Sequence, residues 1–229
     1  MPKNQPSSTY TVIGSVFIAG LIIIGAIMYS GESSENNNTP AEMKIREASS
    51  EDHYLGDLNA PIKFIEYSDL ECPYCQQFHL TLYEEIKPEY FDTGKIVWIF
   101  RNLPLIQIHS KAQREAEAAE CVASLAGNDA FWQYIDIIFR NSPLNNGLNL
   151  SKLPEFAVQI GVNEKAFNEC LQSGDYQADV KLDSDEAQAL GATGTPFSVI
   201  MKNGEIIGTL PGVVEASQLK NMFDEMLAN

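Results

Sequence analysis

The run SDLECPYCQQFH, Ser68 to His79, constrains this chain more than any other feature. Before it, PIKFIEY (61–67) has strand composition, with Ile62, Phe64 and Glu66 on one face. After it, residues 76–91 carry Phe78, Leu82 and Ile86 at helical spacing, with Pro88 expected to kink or end the helix. Asp92-Thr93-Gly94 then turns the chain into KIVWIFR (95–101), a second strand. Two cysteines three positions apart are thereby wedged into the crossover of a βαβ unit, between a strand and the start of a helix.

That place limits what the pair can do. A free thiol has a pKa of about 8.5, lowered at a helix N-terminus or within Cys-x-x-Cys. Cys72 falls at the helix start, facing unpaired backbone N–H groups and the positive end of the helix dipole. Pro73 suits the first helical position, and Cys75 lies one turn further in. The expectation is a redox dithiol, with Cys72 as nucleophile and Cys75 as resolving thiol. Two readings compete with it. Cys72, Cys75 and His79 offer three zinc ligands, but a structural zinc takes four and pairs two such knuckles, and no second CxxC or HxxxH exists. No metal is therefore expected, and His79 is read as a helix residue near the site. The other competitor is an inert structural bridge.

The rest of the chain organises around this unit. Helical patterns run over 110–126, 130–140, 151–160, 163–171, where Asn163 is the cap, and 175–190, with glycines at 127, 161 and 191 as stops. Phe197–Met201 and Glu205–Thr209 flank Asn203-Gly204, the strongest short hairpin signal, and Glu215–Leu227 closes the chain as an amphipathic helix. The order is βαβ, a helical block, then ββα. The stretch GATGTPFSV (191–199) puts a proline just before a strand. That suits a cis peptide in a tight turn or an ordinary trans proline opening an edge strand, and the residues leave both open.

The N-terminus bears on compartment. From Val12 to Met28 the chain carries no charge, and Tyr10 and Tyr29 bracket the run as interfacial aromatics do. The 20 residues from Tyr10 to Tyr29 match the span of a bilayer core. A cleaved signal peptide is the alternative. Its apolar region is about 7–15 residues and ends at an Ala-x-Ala-like site, which YSGESSE lacks. Lys3 precedes the run and the next basic residue is Lys44, so the tail reads as cytoplasmic and the remainder as extracytoplasmic. The expected division is a tail (1–10), a transmembrane anchor (11–30), a polar tether (31–50) and a folded domain (51–229) with a helical insertion over about 107–175. A formal net charge of −16 argues against nucleic acid, and the acidic residues read as dispersed over solvated helix faces.

Taken together, EYSDLECPYCQQF, the helical block with AAECVASLAGNDAFWQYIDIIF and FNECLQSG, and LGATGTPFSVIMKNG resemble the thioredoxin superfamily, specifically its DsbA-like thiol–disulfide oxidoreductases. The resemblance covers residues 51–229 and implies an α/β thioredoxin fold with an inserted helical domain. It implies that Cys72 and Cys75 are the redox pair, with Pro73 and Tyr74 between them modulating it. The best-known member has His where Tyr74 stands, a residue that helps stabilise the thiolate. It also implies that Thr195 and Pro196 form a cis-proline loop binding substrate peptide, and that Glu66 is a buried acid relaying a proton at Cys75, where a solvated strand-end acid is the plain alternative. Cys121 and Cys170, both in the helical block, are expected to form a structural disulfide, two buried free thiols being the other outcome.

The function so implied is an extracytoplasmic, membrane-anchored, monomeric oxidoreductase that introduces disulfides into exported proteins. It needs no cofactor, because the cysteines carry the electrons. Its expected partners are exported thiols and a quinone-linked membrane reoxidase of the DsbB or VKOR-like type. A reductase or isomerase on the same fold, and a non-catalytic peptide-binding chaperone, are the rival readings.

Overall fold

The computed structural model describes residues 45–228. The expected tail and transmembrane anchor, and the tether up to residue 44, lie outside the described residues. Among the described residues no helix is long and apolar enough to cross a membrane.

The strands are β1 (His53–Leu55), β2 (Ile62–Ser68), β3 (Ile96–Asn102), β4 (Phe197–Lys202) and β5 (Glu205–Pro211). They form one sheet in the order β1-β3-β2-β4-β5, with β2 and β3 parallel and every other pair antiparallel. The parallel pair needs a crossover, supplied by α1 (Pro73–Thr81) and a π-helical continuation (Leu82–Phe91). Between β3 and β4 lie α2 (Ala112–Ala126), α3 (Asn128–Asn141), α4 (Lys152–Gln159), α5 (Glu164–Ser173) and α6 (Gln177–Ala189), and α7 (Ala216–Ala228) follows β5. The side chain of Asn163 accepts the Ala166 N–H and caps α5, as its residue type favours. At the β4–β5 hairpin Asn203 and Gly204 have φ of 53° and 86°, the left-handed pair that a two-residue turn requires.

Two details differ from the sequence reading. The helix does not stop at Pro88. It widens into i→i+5 turns, with Asp92 N–H bonded to the Lys87 carbonyl at 2.9 Å. The wider turn accommodates a ring that would clash with the carbonyl four residues back in a regular helix. The edge strand β1 was not anticipated. It is three residues long, too short for a periodic signal, and is held by Asn128, whose side chain bonds both the N–H and the carbonyl of Tyr54 at 2.9 and 2.8 Å.

The central strands are buried on both sides, so alternate residues enter two cores. Ile62, Phe64, Trp98 and Phe100 face one, shared with α1–α5 and α7; Ile65, Tyr67, Val97 and Ile99 face the other, beneath α6. Burying one such aromatic contributes about 2–3 kcal/mol. Under α6 an ion-pair network closes the second core. Arg101, 2% exposed, pairs with Asp52 at 2.9 Å and with Glu186 at 2.5 Å, and Tyr67 donates its hydroxyl to Glu186. The first core brings α2 and α3 against the end of β2 from which the cysteine segment emerges.

Candidate active site

Strand β2 ends at Ser68, and the next four residues deliver Cys72 to the N-cap of α1 with extended backbone (φ −84°, ψ 123°). Pro73 takes the first helical position, where its missing N–H has no partner to lose. The Cys72 carbonyl accepts the Gln76 N–H at 3.0 Å, so the first turn is fixed with the sulfur at its mouth. Cys72 and Cys75 are both unbonded thiols. Tyr74 between them is 65% exposed and forms the outer lip of the site.

The two sulfurs live in opposite environments. Cys72 lies 3.6 Å from the carbonyl oxygen of Thr195, across a loop whose Thr195–Pro196 peptide bond is cis. The Cys75 thiol, the Thr195 side chain and the Cys75 and Tyr74 backbone N–H groups stabilise its thiolate and, against the effect of burial, pull its pKa down to about 6. Cys75 is fully buried, and its sulfur accepts the Asp69 N–H at 3.4 Å. Burial, and then the neighbouring Cys72, push its pKa well up. The outer sulfur therefore favours the thiolate and the inner one keeps its proton.

Glu66 sits in the middle of β2 with 0% exposure. One oxygen accepts the Trp98 indole N–H at 3.0 Å and the other has no partner. Burial raises its pKa to about 7, opposed by hydrogen bonding, and its charge in turn raises that of Cys75. Thus Glu66, Cys72, Cys75, Thr195 and Pro196 converge where β2, α1 and β4 meet. His79 faces away. It is buried against Phe139, ring centroids 4.8 Å apart, and its Nε2 lies 3.2 Å from Asp136, with burial lowering its pKa. Cys121 of α2 and Cys170 of α5 are joined as a disulfide elsewhere in the helical block.

Several groups at the site were not singled out by the sequence reading. Asp69, Glu71 and Glu115 are at most 1% exposed, which corrects the picture of acidic residues confined to solvated faces. Glu71 immediately precedes Cys72. Its carboxyl bonds the Asn146 N–H, and its backbone carbonyl accepts the Asn145 N–H at 2.9 Å, tying the motif to the loop after α3. Burial and the adjoining Glu71 carboxyl raise the pKa of Glu115 to about 9, so it stays protonated at neutral pH. The missed signal for Glu115 was its register. It falls on the same face of α2 as buried Ala112, Ala119 and Val122, where a solvated acid has no place. His109, on the loop after β3, is 5% exposed with Nδ1 2.8 Å from Asp69 Oδ2, a contact between segments forty residues apart.

Comparison with known proteins fits this geometry. The thioredoxin family profile matches residues 48–221. A probable disulfide bond formation protein D of Bacillus cereus is 34% identical over 206 residues, covering 86% of this chain and 90% of that protein. Among solved structures, alpha-DsbA1 of Wolbachia pipientis superposes with a TM-score of 0.68 at 27% identity, over 79% of this chain and 93% of that one. DsbA2 of Pseudomonas aeruginosa gives 0.63 at 29% identity, over 80% and 97%. With an acidified and a fully buried thiol at the mouth of α1, opposite a cis-proline loop on a five-stranded sheet, the chain belongs to the thioredoxin superfamily as a DsbA-like thiol–disulfide oxidoreductase.

Proposed function

We propose that this enzyme works as an oxidase outside the cytoplasm, donating the Cys72–Cys75 disulfide to exported proteins. The observation that carries the reading is the asymmetry of the two thiols: the reduced enzyme gains from a stabilised Cys72 thiolate that the disulfide form does not have, so the pair favours accepting electrons. A substrate thiolate attacks Cys72 Sγ, the Cys72–Cys75 bond breaks, and Cys75 leaves with the electron pair and takes a proton. A second substrate thiolate attacks the substrate sulfur of the mixed disulfide, and Cys72 leaves as a thiolate. Two electrons have moved from the substrate to the cysteine pair, and the substrate carries a new disulfide.

Glu66, beside Cys75 and with one oxygen free, is the group suited to pass that proton. The backbone of Thr195 at the cis-proline loop is suited to pair with an extended substrate segment. Reoxidation requires a membrane partner that passes the electrons to a quinone. The apolar run at residues 12–28 would hold the domain beside such a partner. The disulfide formation activity named for the Bacillus cereus relative supports the same direction. The test is the equilibrium potential of Cys72–Cys75 in glutathione buffers. A value well above the glutathione couple is expected; one as low as that of thioredoxin, about −270 mV, would make the enzyme a reductase.

A further inference from the structure

Between its cysteines this enzyme carries Pro73 and Tyr74, so its own motif offers no cation to the reactive sulfur. A basic group reaches the site from elsewhere. The segment after β3, residues 103–111, folds back over the approach to α1, and Asp69 anchors it there. Asp69 Oδ2 accepts the Leu105 N–H at 2.8 Å and lies 2.8 Å from His109 Nδ1, while Oδ1 accepts the Glu71 N–H at 2.8 Å. The backbone of the same residue reaches both cysteines: its N–H points at Cys75 Sγ at 3.4 Å, and its carbonyl accepts the Cys72 N–H at 3.1 Å. One buried residue therefore fixes the positions of the two thiols and of an imidazole.

An imidazole that donates Nδ1–H to a carboxylate is held in orientation and made more basic. Both partners are almost fully enclosed, Asp69 at 1% and His109 at 5% exposure, so solvent screening between the ring and Cys72 is weak. We propose that His109, oriented by Asp69, supplies from outside the CxxC motif the positive charge that stabilises the Cys72 thiolate, and thereby sets how oxidising the pair is. The inference rests on Cys72 being the reactive sulfur, as in the preceding section.

The surrounding charges agree. Burial lowers the pKa of His109, but Asp69, Cys72 and the Asn145 side chain raise it, and they prevail. Lys111, two residues on, is turned away, with its Nζ bonded to the carbonyls of Asn146 and Leu148 at 2.6 Å each. Glu115 behind Glu71 is held protonated, so it adds no negative charge at neutral pH. Asp69 and Cys72 are thus the acidic groups that raise His109, while burial raises Asp69 itself against the hydrogen bonds it accepts from Leu105, His109 and Glu71.

Two measurements on the full chain test this. Coupling between sites is reciprocal, so a thiolate at Cys72 must raise the pKa of His109 as much as the imidazolium lowers that of Cys72. NMR titration of the His109 ring in the unsubstituted protein should give a pKa higher in the dithiol than in the disulfide form by about one unit. Equal values in the two forms overturn the proposal. Titration of the thiolate by ultraviolet absorbance in His109→Gln should show Cys72 raised by a similar amount. The equilibrium constant against glutathione at pH 7 should then fall about fivefold in oxidising strength, close to 20 mV for a two-electron couple. An unchanged Cys72 titration in folded H109Q also overturns it. If H109Q does not fold, the redox-linked NMR shift of the unsubstituted protein decides alone. A low potential in the unsubstituted protein sinks the oxidase reading instead, and leaves the His109 shift measurable on the same dithiol.

Discussion

Four cysteines in one chain make two pairs that share chemistry and little else. Cys72 and Cys75 are separated by two residues, sit at a helix N-terminus and are unbonded. Cys121 and Cys170 are separated by 49 positions, join the bodies of α2 and α5 with Cα atoms 5.9 Å apart, and are bonded. Cys121 is 1% exposed within the main core, with no cis-proline loop facing it. The difference lies in what surrounds the sulfur. Helix-end N–H groups and neighbouring polar groups favour a thiolate at Cys72, whereas apolar packing around Cys121 favours an inert bond. Helix α2 connects the two environments, because it carries both Cys121 and Glu115, the latter packed behind the active-site Glu71.

The comparison breaks most completely at Cys72. Cys72→Ser should abolish disulfide transfer to a reduced substrate, a loss of at least about 10³-fold. Cys75→Ser, offered the disulfide form of a substrate, should instead accumulate a mixed disulfide. The Cys72 thiolate breaks the substrate S–S bond and no Cys75 thiol is present to displace the bound sulfur, so the adduct is visible by mass under non-reducing conditions. Transfer at normal rates by Cys72→Ser would overturn the assignment of the nucleophile. Removing the other pair should do the reverse. The double substitution Cys121→Ala and Cys170→Ala reopens a 49-residue loop in the unfolded chain, a cost of about 4 kcal/mol in the chain-entropy estimate. Denaturant unfolding should show that loss while turnover per folded molecule stays within about twofold. A collapse of turnover without loss of stability would mean the distant bond is part of the redox circuit.

Much of this contrast is legible in the sequence because it is local. The strand–cysteine–helix junction, the Asn163 cap and the Asn203-Gly204 turn are each written within a few residues. The Cys121–Cys170 pairing is not local, and it is expected only because both residues fall in the helical block of a domain read as extracytoplasmic. The Asp69–His109, Glu71–Glu115 and Glu71–Asn146 contacts were illegible for the same reason. Each joins segments brought together by the sheet order and by the seat of α2 and α3, and His109 in NLPLIQIHS carries no local pattern. Pro88 was legible in part: the helix runs to Phe91 as its spacing suggests, and of a kink or an end only the end is excluded, because aromatic and apolar residues, among them Ile86, Tyr90 and Phe91, hold the segment in the core at a wider pitch.

A smaller effect should sharpen the asymmetry within the reactive pair. Glu66→Gln keeps the shape and the Trp98 contact but cannot exchange a proton with Cys75. The first attack on Cys72, in which Cys75 leaves and takes a proton, should slow by about ten- to a hundredfold, with little change in the later release of Cys72 from the mixed disulfide. Rapid-quench trapping of the mixed disulfide across pH 5.5–8.5 would resolve this. In the unsubstituted enzyme the rate at which the mixed disulfide forms should respond to a group near pH 7, and in Glu66→Gln that inflection should vanish. Persistence of the inflection would assign the proton to another group.

The smallest effect concerns stability and falls on the helix shared by both pairs. Glu115 is raised from 4.5 to about 9, first by burial and then by Glu71. A carboxyl raised in the folded state binds its proton more tightly there than in the unfolded chain. Its contribution is therefore complete below the unfolded value and is lost as pH rises toward 9. Glu66, raised to about 7, acts in the same direction over a narrower window. Glu115→Gln keeps the volume beside Glu71 but cannot ionise. Unfolding by urea should find the variant and the parent equally stable at pH 5, and the variant more stable at pH 8 by about 1–3 kcal/mol. A gain of the same size at both pH values would point to packing, and a loss at pH 8 would mean that Glu115 is not held protonated beside Glu71. The Cys121–Cys170 bond should leave this pH dependence intact when removed, because the carboxyl pair answers to burial beside the active site and the disulfide to the geometry of two helices.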